Sequence, residues 1–197
     1  MKGRLGLAAS LIAFSIGWTA RTPSSATAPA PASREDGLAA FETVKAVLQH
    51  PRCQNCHIPG DAPLQFDQGL PHAQNVRRGP DGNGSPGLTC ATCHGAANPP
   101  TAWGEHMPPG APSWKLPPPG HKMVFIGLSS GALCRLVKDP AKNGGRNFEA
   151  LIRHVSEDAL VGWGWSPGVG RAPVPIPRDE FVARFKDWIG AGAPCAP

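Results

Sequence analysis

The sequence predicts a mainly α-helical, loop-rich fold built from a few short helices. Apolar residues recur at helical spacing in four short segments, near residues 41–48, 130–138, 147–158 and 178–189. The chain also contains 24 glycines and 24 prolines, which interrupt regular structure between these segments. No stretch alternates apolar and polar residues convincingly enough to predict a strand. The helices are therefore expected to be short and separated by long loops.

Three of the four predicted helices have a well-defined apolar face, and the second candidate covers residues 130–138. The face of the first helix comprises Phe41, Val44, Val47 and Leu48. That of the third comprises Phe148, Leu151, Ile152 and Val155. That of the fourth comprises Phe181, Phe185, Trp188 and Ile189, and Gly190 is expected to cap this helix. The Pro- and Gly-rich segments 78–87 and 98–120 are expected to lack regular structure.

The N-terminal segment has the three parts of a secretory signal. The basic residues Lys2 and Arg4 precede an apolar run over residues 5–18, and a small-residue cleavage site ends at Ala28. An uncleaved membrane anchor is the alternative interpretation. The predicted division of the chain is a signal peptide 1–28, a flexible Ala- and Pro-rich linker 29–35 and a folded domain 36–197.

The basic charge of the chain belongs largely to the predicted signal peptide. Removal of Lys2, Arg4 and Arg21 would lower the formal net charge from +5 to +2. No run of Lys and Arg and no basic stripe with interleaved aromatic residues follows, so nucleic acid is not an expected partner. We expect an exported, periplasmic protein that has no membrane span after cleavage.

Two C-x-x-C-H motifs are the strongest indication of function in the sequence. They occupy residues 53–57 and 90–94. In c-type cytochromes the two thiols of such a motif form thioethers with one porphyrin edge, and the adjacent imidazole ligates the iron. The predicted haem-attaching residues are Cys53 and Cys56 for one haem c and Cys90 and Cys93 for a second. The predicted proximal iron ligands are His57 and His94.

Two other kinds of site use paired cysteines. Two C-x-x-C pairs can bind zinc tetrahedrally through four thiolates, which would leave both histidines unused. A thioredoxin-like redox pair normally occurs once and lies between a strand and a helix. Neither interpretation explains a histidine after both pairs in an exported chain, so two covalent haems are predicted, with the short helices packed around them.

The remaining cysteines, Cys134 and Cys195, belong to no motif. In an oxidising compartment two leftover thiols usually pair, so a disulfide is predicted between them. Two free thiols are the alternative.

Four residues are candidates for the distal side of the irons. His72 lies in a loop that can fold back over either haem, and His154 lies near the apolar side of the third predicted helix. Met107 and Met123 are weaker candidates, because a thioether ligand and an ordinary apolar contact are both compatible with their positions. Trp163 and Trp165 are expected to pack against a haem.

The chain resembles small dihaem cytochromes labelled as isoquinoline 1-oxidoreductase subunits. The resemblance rests on residues 51–57, on Gly79-Pro80-Asp81-Gly82 and on Trp163-Gly164-Trp165, and covers most of residues 41–195. The chain has none of the iron–sulfur cysteine patterns of the small subunit of a molybdenum hydroxylase. The resemblance therefore implies an accessory electron acceptor of such an enzyme and a dihaem cytochrome c-like fold.

The predicted function is electron transfer without catalysis, between a donor dehydrogenase and a downstream acceptor. A dihaem peroxidase-like enzyme is one alternative, although only 37 positions separate Cys53 from Cys90, whereas such enzymes resemble two full cytochrome domains. A haem-based sensor of small gas molecules, with one open iron, is another.

Overall fold

The structure of the chain is a computed structural model that describes residues 32–197. The predicted signal peptide and residues 29–31 of the predicted linker lie outside the described residues. The described part is a small, mostly helical and loop-rich fold. Its α-helices are α1 (Arg34–Leu48), α2 (Pro51–Gln54), α3 (Ser130–Lys138), α4 (Phe148–Glu157), α5 (Ala159–Gly162) and α6 (Arg178–Gly190). Two antiparallel hairpins pair β1 (Leu64–Gln65) with β2 (Leu70–Pro71) and β3 (Gly84–Ser85) with β4 (Leu88–Thr89).

Helix α1 begins with a capping box. The Asp36 backbone N–H donates to Ser33 Oγ at 3.1 Å, and the Ser33 backbone N–H donates to Asp36 Oδ2 at 3.0 Å. These two bonds satisfy backbone donors that the first helical turn leaves without partners. Helix α1 therefore begins at Arg34 and includes the last two residues of the segment that the sequence predicts to be linker.

All four predicted helices are present, with small differences at their ends. Helix α3 spans the predicted residues, and α4 begins one residue late because Asn147 caps it, accepting from the Ala150 N–H at 2.9 Å. Phe148 is 38% exposed rather than buried, because it is the first residue of α4. Gly190 is the last residue of α6 rather than its cap, and the left-handed backbone occurs two residues later, at Gly192. The short helices α2 and α5 have no counterpart among the predicted helices.

The longer helices α1, α3, α4 and α6 bury a hydrophobic core around Trp188, which has no exposed surface. The ring centroid of Trp188 lies 4.9 Å from that of Phe41 and 5.4 Å from that of Phe185. The indole N–H donates to the Pro194 carbonyl at 3.0 Å, which satisfies its one polar group. These helices thus have a core made of protein, contrary to the expectation that so Gly- and Pro-rich a chain could bury little.

A disulfide joins the C-terminal tail to α3. Cys134 and Cys195 are bonded, with Cα atoms 5.5 Å apart, which confirms the predicted pairing. Two basic side chains of α3 support the same contact, since Arg135 and Lys138 donate to the carbonyls of Ala196 and Ala193. With a sequence separation of 61 between the cysteines, the bond stabilises the fold by about 4 kcal/mol in the loop-entropy treatment.

The two Pro- and Gly-rich segments contain no α-helix, but the prediction that they lack regular structure is only partly correct. Strand β3 lies in the first segment, and 3₁₀ turns over Thr101–Trp103 and Pro119–His121 begin in the second. The course of the segments depends on close backbone approaches such as that of Gly79, which has φ 69° and leaves no room for a Cβ beside the Gly84 carbonyl oxygen. None of the helices in residues 32–197 combines the length and apolar character needed to cross a bilayer.

Trp188 makes the helical core testable. Trp188→Ala should lower the free energy of unfolding by about 3–5 kcal/mol, because it empties the centre of the core and leaves the Pro194 carbonyl without its donor. Trp103→Ala is the matched control, since Trp103 is 65% exposed, and should change it by less than about 0.5 kcal/mol. Urea denaturation followed by circular dichroism measures both. Similar losses for the two variants would contradict the assigned core.

Candidate functional site

The first C-x-x-C-H motif folds as a single helical turn. Helix α2 begins after His50, whose ring nitrogen accepts from the Arg52 N–H, and Pro51 occupies its first position. The N–H groups of Cys56 and His57 both donate to the Cys53 carbonyl, at 3.2 and 3.3 Å. Residues three and four positions apart in such a turn share a face, so the two thiols and the imidazole lie on one side of the chain.

The second motif repeats this arrangement within a loop. The hairpin of β3 and β4 leads into a 3₁₀ turn over Cys90–Thr92. Here the N–H groups of Cys93 and His94 both donate to the Cys90 carbonyl, at 3.2 and 3.0 Å. A negative charge on Cys90 would contribute to raising the pKa of Cys56, so the two turns lie within electrostatic reach of each other.

Each motif histidine is held by a backbone carbonyl from a distant part of the chain. His57 Nδ1 lies 2.8 Å from the Met123 oxygen, and His94 Nδ1 lies 2.7 Å from the Pro109 oxygen. A carbonyl oxygen only accepts hydrogen bonds, so the proton of a neutral ring belongs on Nδ1. The Nε2 lone pair of both imidazoles is therefore available to a ligand. This arrangement is typical of metal-ligating histidines.

An aromatic ring lies parallel to each of these imidazoles. The ring centroids of His57 and Phe125 are 3.9 Å apart with an angle of 11° between planes, and those of His94 and Trp114 are 4.4 Å apart with an angle of 5°. Trp114 in turn contacts Trp163 edge-on. These rings restrict imidazole rotation and shield one face from water.

Burial favours the neutral form of three motif thiols and of both motif imidazoles. It raises the pKa of Cys53 to about 12 and that of Cys56 to about 11, and it raises the pKa of Cys90. It lowers the pKa of His57 to about 4, against the opposing effect of the Met123 hydrogen bond, and it also lowers the pKa of His94. A thioredoxin-like nucleophile needs a lowered thiol pKa, so these thiols do not fit that role.

Two buried arginines flank the first motif. Arg78 is fully buried and donates to the carbonyls of Ile58, Gly60 and Pro117, so it holds the loop that follows the motif. Arg52, which is 6% exposed, pairs with Asp67, and its guanidinium carbon lies 5.6 Å from the Trp163 ring centroid. Arg52 Nε is buried without a hydrogen-bond partner among the described residues, and so is the side-chain oxygen of Asn55.

The two histidines predicted as distal ligands lie near different motifs. The ring centroid of His72 is 6.1 Å from that of His94. His154 lies on α4 with Nδ1 3.3 Å from an Asp158 oxygen, and it is near enough to His57 for its charge to contribute to lowering the His57 pKa. The structure thus places His72 beside the His94 imidazole and His154 within electrostatic reach of the His57 imidazole.

The backbone carbonyls of the two candidate methionines have different partners, and only that of Met123 contacts a motif residue. The Met123 carbonyl accepts from His57, and the Met107 carbonyl accepts from an Arg171 side-chain N–H at 2.6 Å. The two tryptophans that were expected to pack against a haem, Trp163 and Trp165, lie in different parts of the structure. Trp163 borders Trp114, whereas Trp165 packs against Phe181 and donates to the Ile176 carbonyl, so it belongs to the helical core rather than to the motifs.

Gly110 tests the placement of the Pro109 carbonyl. A Cβ on Gly110 would lie 2.1 Å from the Ala97 oxygen, so Gly110→Ala must displace the turn that holds His94. We expect it to lower the free energy of unfolding by about 1–3 kcal/mol. Gly120→Ala is the matched control, because no atom lies within 4 Å of its Cβ, and should change it by less than about 0.5 kcal/mol. Equal unfolding midpoints in urea would contradict this close approach.

Comparison of the chain with protein-family models, with curated proteins and with solved structures found no match. The features that bear on function are therefore those of the chain itself. They are two C-x-x-C-H turns, two imidazoles held through Nδ1, and one aromatic ring against each imidazole.

Proposed function

We propose that the chain is a dihaem c-type cytochrome that carries single electrons between redox proteins in the periplasm. The observation that supports this most strongly is a repeated one. At both motifs the imidazole that follows the second cysteine donates through Nδ1 to a backbone carbonyl and leaves Nε2 available. One such histidine has ordinary structural explanations, but the same arrangement after two C-x-x-C pairs matches what haem ligation requires.

The donor groups fit this cofactor. Each turn offers two thiols and one neutral imidazole on the same side, which are the protein groups that c-type attachment uses. Among residues 32–197 no three His, Cys, Asp or Glu side chains form a cluster suited to a metal ion. Haem needs no such cluster, since the porphyrin supplies four iron ligands. The buried Arg52 Nε, in the residue before Cys53, has no acceptor among the described residues.

The residues have separate roles in this proposal. When bound, each haem supplies an iron that takes up and releases one electron. The covalent attachment residues are Cys53 and Cys56 for the first haem and Cys90 and Cys93 for the second. His57 and His94 are the proximal ligands. The Met123 and Pro109 carbonyls fix the tautomer and direction of each imidazole and increase its basicity as a ligand.

A carrier needs both irons closed by a sixth ligand, so that electrons enter and leave without substrate binding. His72 and His154 are the proposed distal ligands, and Met107 and Met123 are the weaker ones. Two imidazole ligands favour a lower reduction potential than an imidazole and a thioether.

The compartment and partners follow from separate observations. The Cys134–Cys195 disulfide supports an oxidising compartment, where c-type haem is attached in bacteria. The resemblance to dihaem cytochromes suggests a molybdenum hydroxylase-type dehydrogenase as electron donor, with a second redox protein as acceptor.

Covalent attachment is the first test. Mass spectrometry of the mature, denatured protein should find two added haem masses per chain, because noncovalent groups dissociate on denaturation and thioethers do not. Cys90→Ala combined with Cys93→Ala should leave one haem. The matched control, Cys134→Ala with Cys195→Ala, removes two cysteines outside the motifs and should retain both haems. A parent protein without haem would contradict the proposal.

Carbon monoxide distinguishes a carrier from an enzyme or sensor. The reduced parent protein should show no rapid change of its visible spectrum with carbon monoxide, because both irons are six-coordinate. Rapid binding at one iron would instead favour the peroxidase-like or gas-sensing function. The haem content measured on the same sample ensures that an unreactive spectrum does not come from missing haem.

A further inference from the structure

We propose that His72 is the distal ligand of the second haem iron, opposite His94, so that the hairpin following the first motif completes the second site. This inference rests on the proposed dihaem function. The sequence places His72 only 15 positions after His57, where either iron is within reach. The structure brings His72 to His94.

The separation of the two rings matches coordination of one iron from both sides. The His72 and His94 ring centroids are 6.1 Å apart. A metal–imidazole bond is about 2 Å long and the ring centroid lies about 1.1 Å beyond the nitrogen, so two imidazoles on one iron have centroids about 6 Å apart. The angle of 61° between the rings is compatible with this, because two imidazoles on opposite sides of one iron need not be coplanar.

Both rings keep the required nitrogen available. His72 Nδ1 lies 2.9 Å from the Ala73 carbonyl oxygen, just as His94 Nδ1 lies 2.7 Å from that of Pro109. Neutral imidazoles bonded in this way carry their protons on Nδ1 and their lone pairs on Nε2. The two histidines are therefore in the same ligand-competent tautomer.

The backbone holds His72 in place from the first motif. The hairpin of β1 and β2 is joined to that motif by the Leu64 N–H, which donates to the Asn55 carbonyl at 2.9 Å. The His72 N–H extends the hairpin by donating to the Pro63 carbonyl at 3.0 Å. The backbone of His72 is thus held by the segment that follows His57 in the chain. Its side chain nevertheless lies near His94 of the second motif.

The chain adopts an unfavourable backbone directly after His72. Gln74 and Asn75 have φ values of 58° and 51°, a left-handed conformation that Asn tolerates and Gln rarely adopts. Four residues after Gln74, the side chain of Arg78 is fully buried. Consecutive left-handed residues persist only where their surroundings require them, and they are concentrated at functional sites. Here they turn the chain from His72 back to the Arg78 anchor.

Met107 is less suited to the second iron. It lies two residues before Pro109, whose carbonyl is bonded to His94 Nδ1. An iron bound by His94 would be held through Nε2, because Nδ1 faces the Pro109 carbonyl, and a distal ligand would have to approach from the Nε2 side. His72 is a half-buried imidazole with a free Nε2 near this ring, so it is the better candidate.

His72→Ala in the full-length holoprotein is the first test. Loss of the distal imidazole should open one iron, so the reduced variant should bind one carbon monoxide per chain where the parent binds none. Added imidazole should restore the parent visible spectrum, which a merely structural role of His72 would not produce. The matched control, His121→Ala, removes an exposed histidine and should bind no carbon monoxide. A His72→Ala protein with the parent spectrum and no carbon monoxide binding would overturn the assignment.

Chemical modification identifies the iron and does not depend on the stability of His72→Ala. Diethyl pyrocarbonate should label His121 but not His72 in the parent holoprotein, because coordination protects Nε2. His72 should become labelled when Cys90→Ala and Cys93→Ala remove the second haem. It should stay protected when Cys53→Ala and Cys56→Ala remove the first. The opposite pattern, or labelling of His72 in the parent, would overturn the inference.

The two proposals fail in different ways. Absence of covalent haem from the parent protein would overturn the proposed function and this inference with it. Two haems per chain together with a labelled His72 would overturn the distal assignment alone.

Discussion

Two hydrogen bonds from imidazole Nδ1 to backbone carbonyls determine how the loop-rich part of the molecule is arranged. To reach His57, the chain around Met123 must return to the end of α2, and to reach His94, the chain around Pro109 must return to the second turn. Each returning segment also brings the aromatic ring that stacks on the imidazole, Phe125 in one case and Trp114 in the other. Segments of little regular structure are thereby folded back on the two motifs.

The helical core and the motif region depend on different forces. Helices α1, α3, α4 and α6 bury apolar side chains around Trp188, and the disulfide holds the C-terminal tail on α3. The loops around the motifs instead rely on side-chain bonds to backbone carbonyls, such as those of Arg78, and on stacked rings. Cys53 packs against the edge of the helical core, so the first motif is supported by both. The second motif is supported by the hairpin of β3 and β4 and by loops.

The sequence predicts features whose causes are local. The sequence predicts both ends of α3 correctly, because the apolar pattern that defines this helix is contained within nine consecutive residues. The pairing of Cys134 with Cys195 followed from the absence of other partners outside the motifs. The contacts of His57 and His94 could not be predicted, since their acceptors are 66 and 15 residues away and are backbone carbonyls, which every residue type provides. Trp165 was expected to pack against a haem, but it packs in the helical core. The sequence of two tryptophans separated by one glycine does not indicate which of them faces that core.

The two buried arginines, Arg78 and Arg52, differ in how completely their side-chain donors are satisfied within the chain. Arg78 donates to three backbone carbonyls and to Asp61, so most of its donors are satisfied within the chain. Arg52 pairs with Asp67 and a tryptophan ring, yet its Nε remains without a partner among the described residues. An unsatisfied buried donor costs about 1–3 kcal/mol. A fold that retains this cost directly before Cys53 leaves an unsatisfied donor beside the first motif. An acceptor bound there would remove this cost and so stabilise the motif.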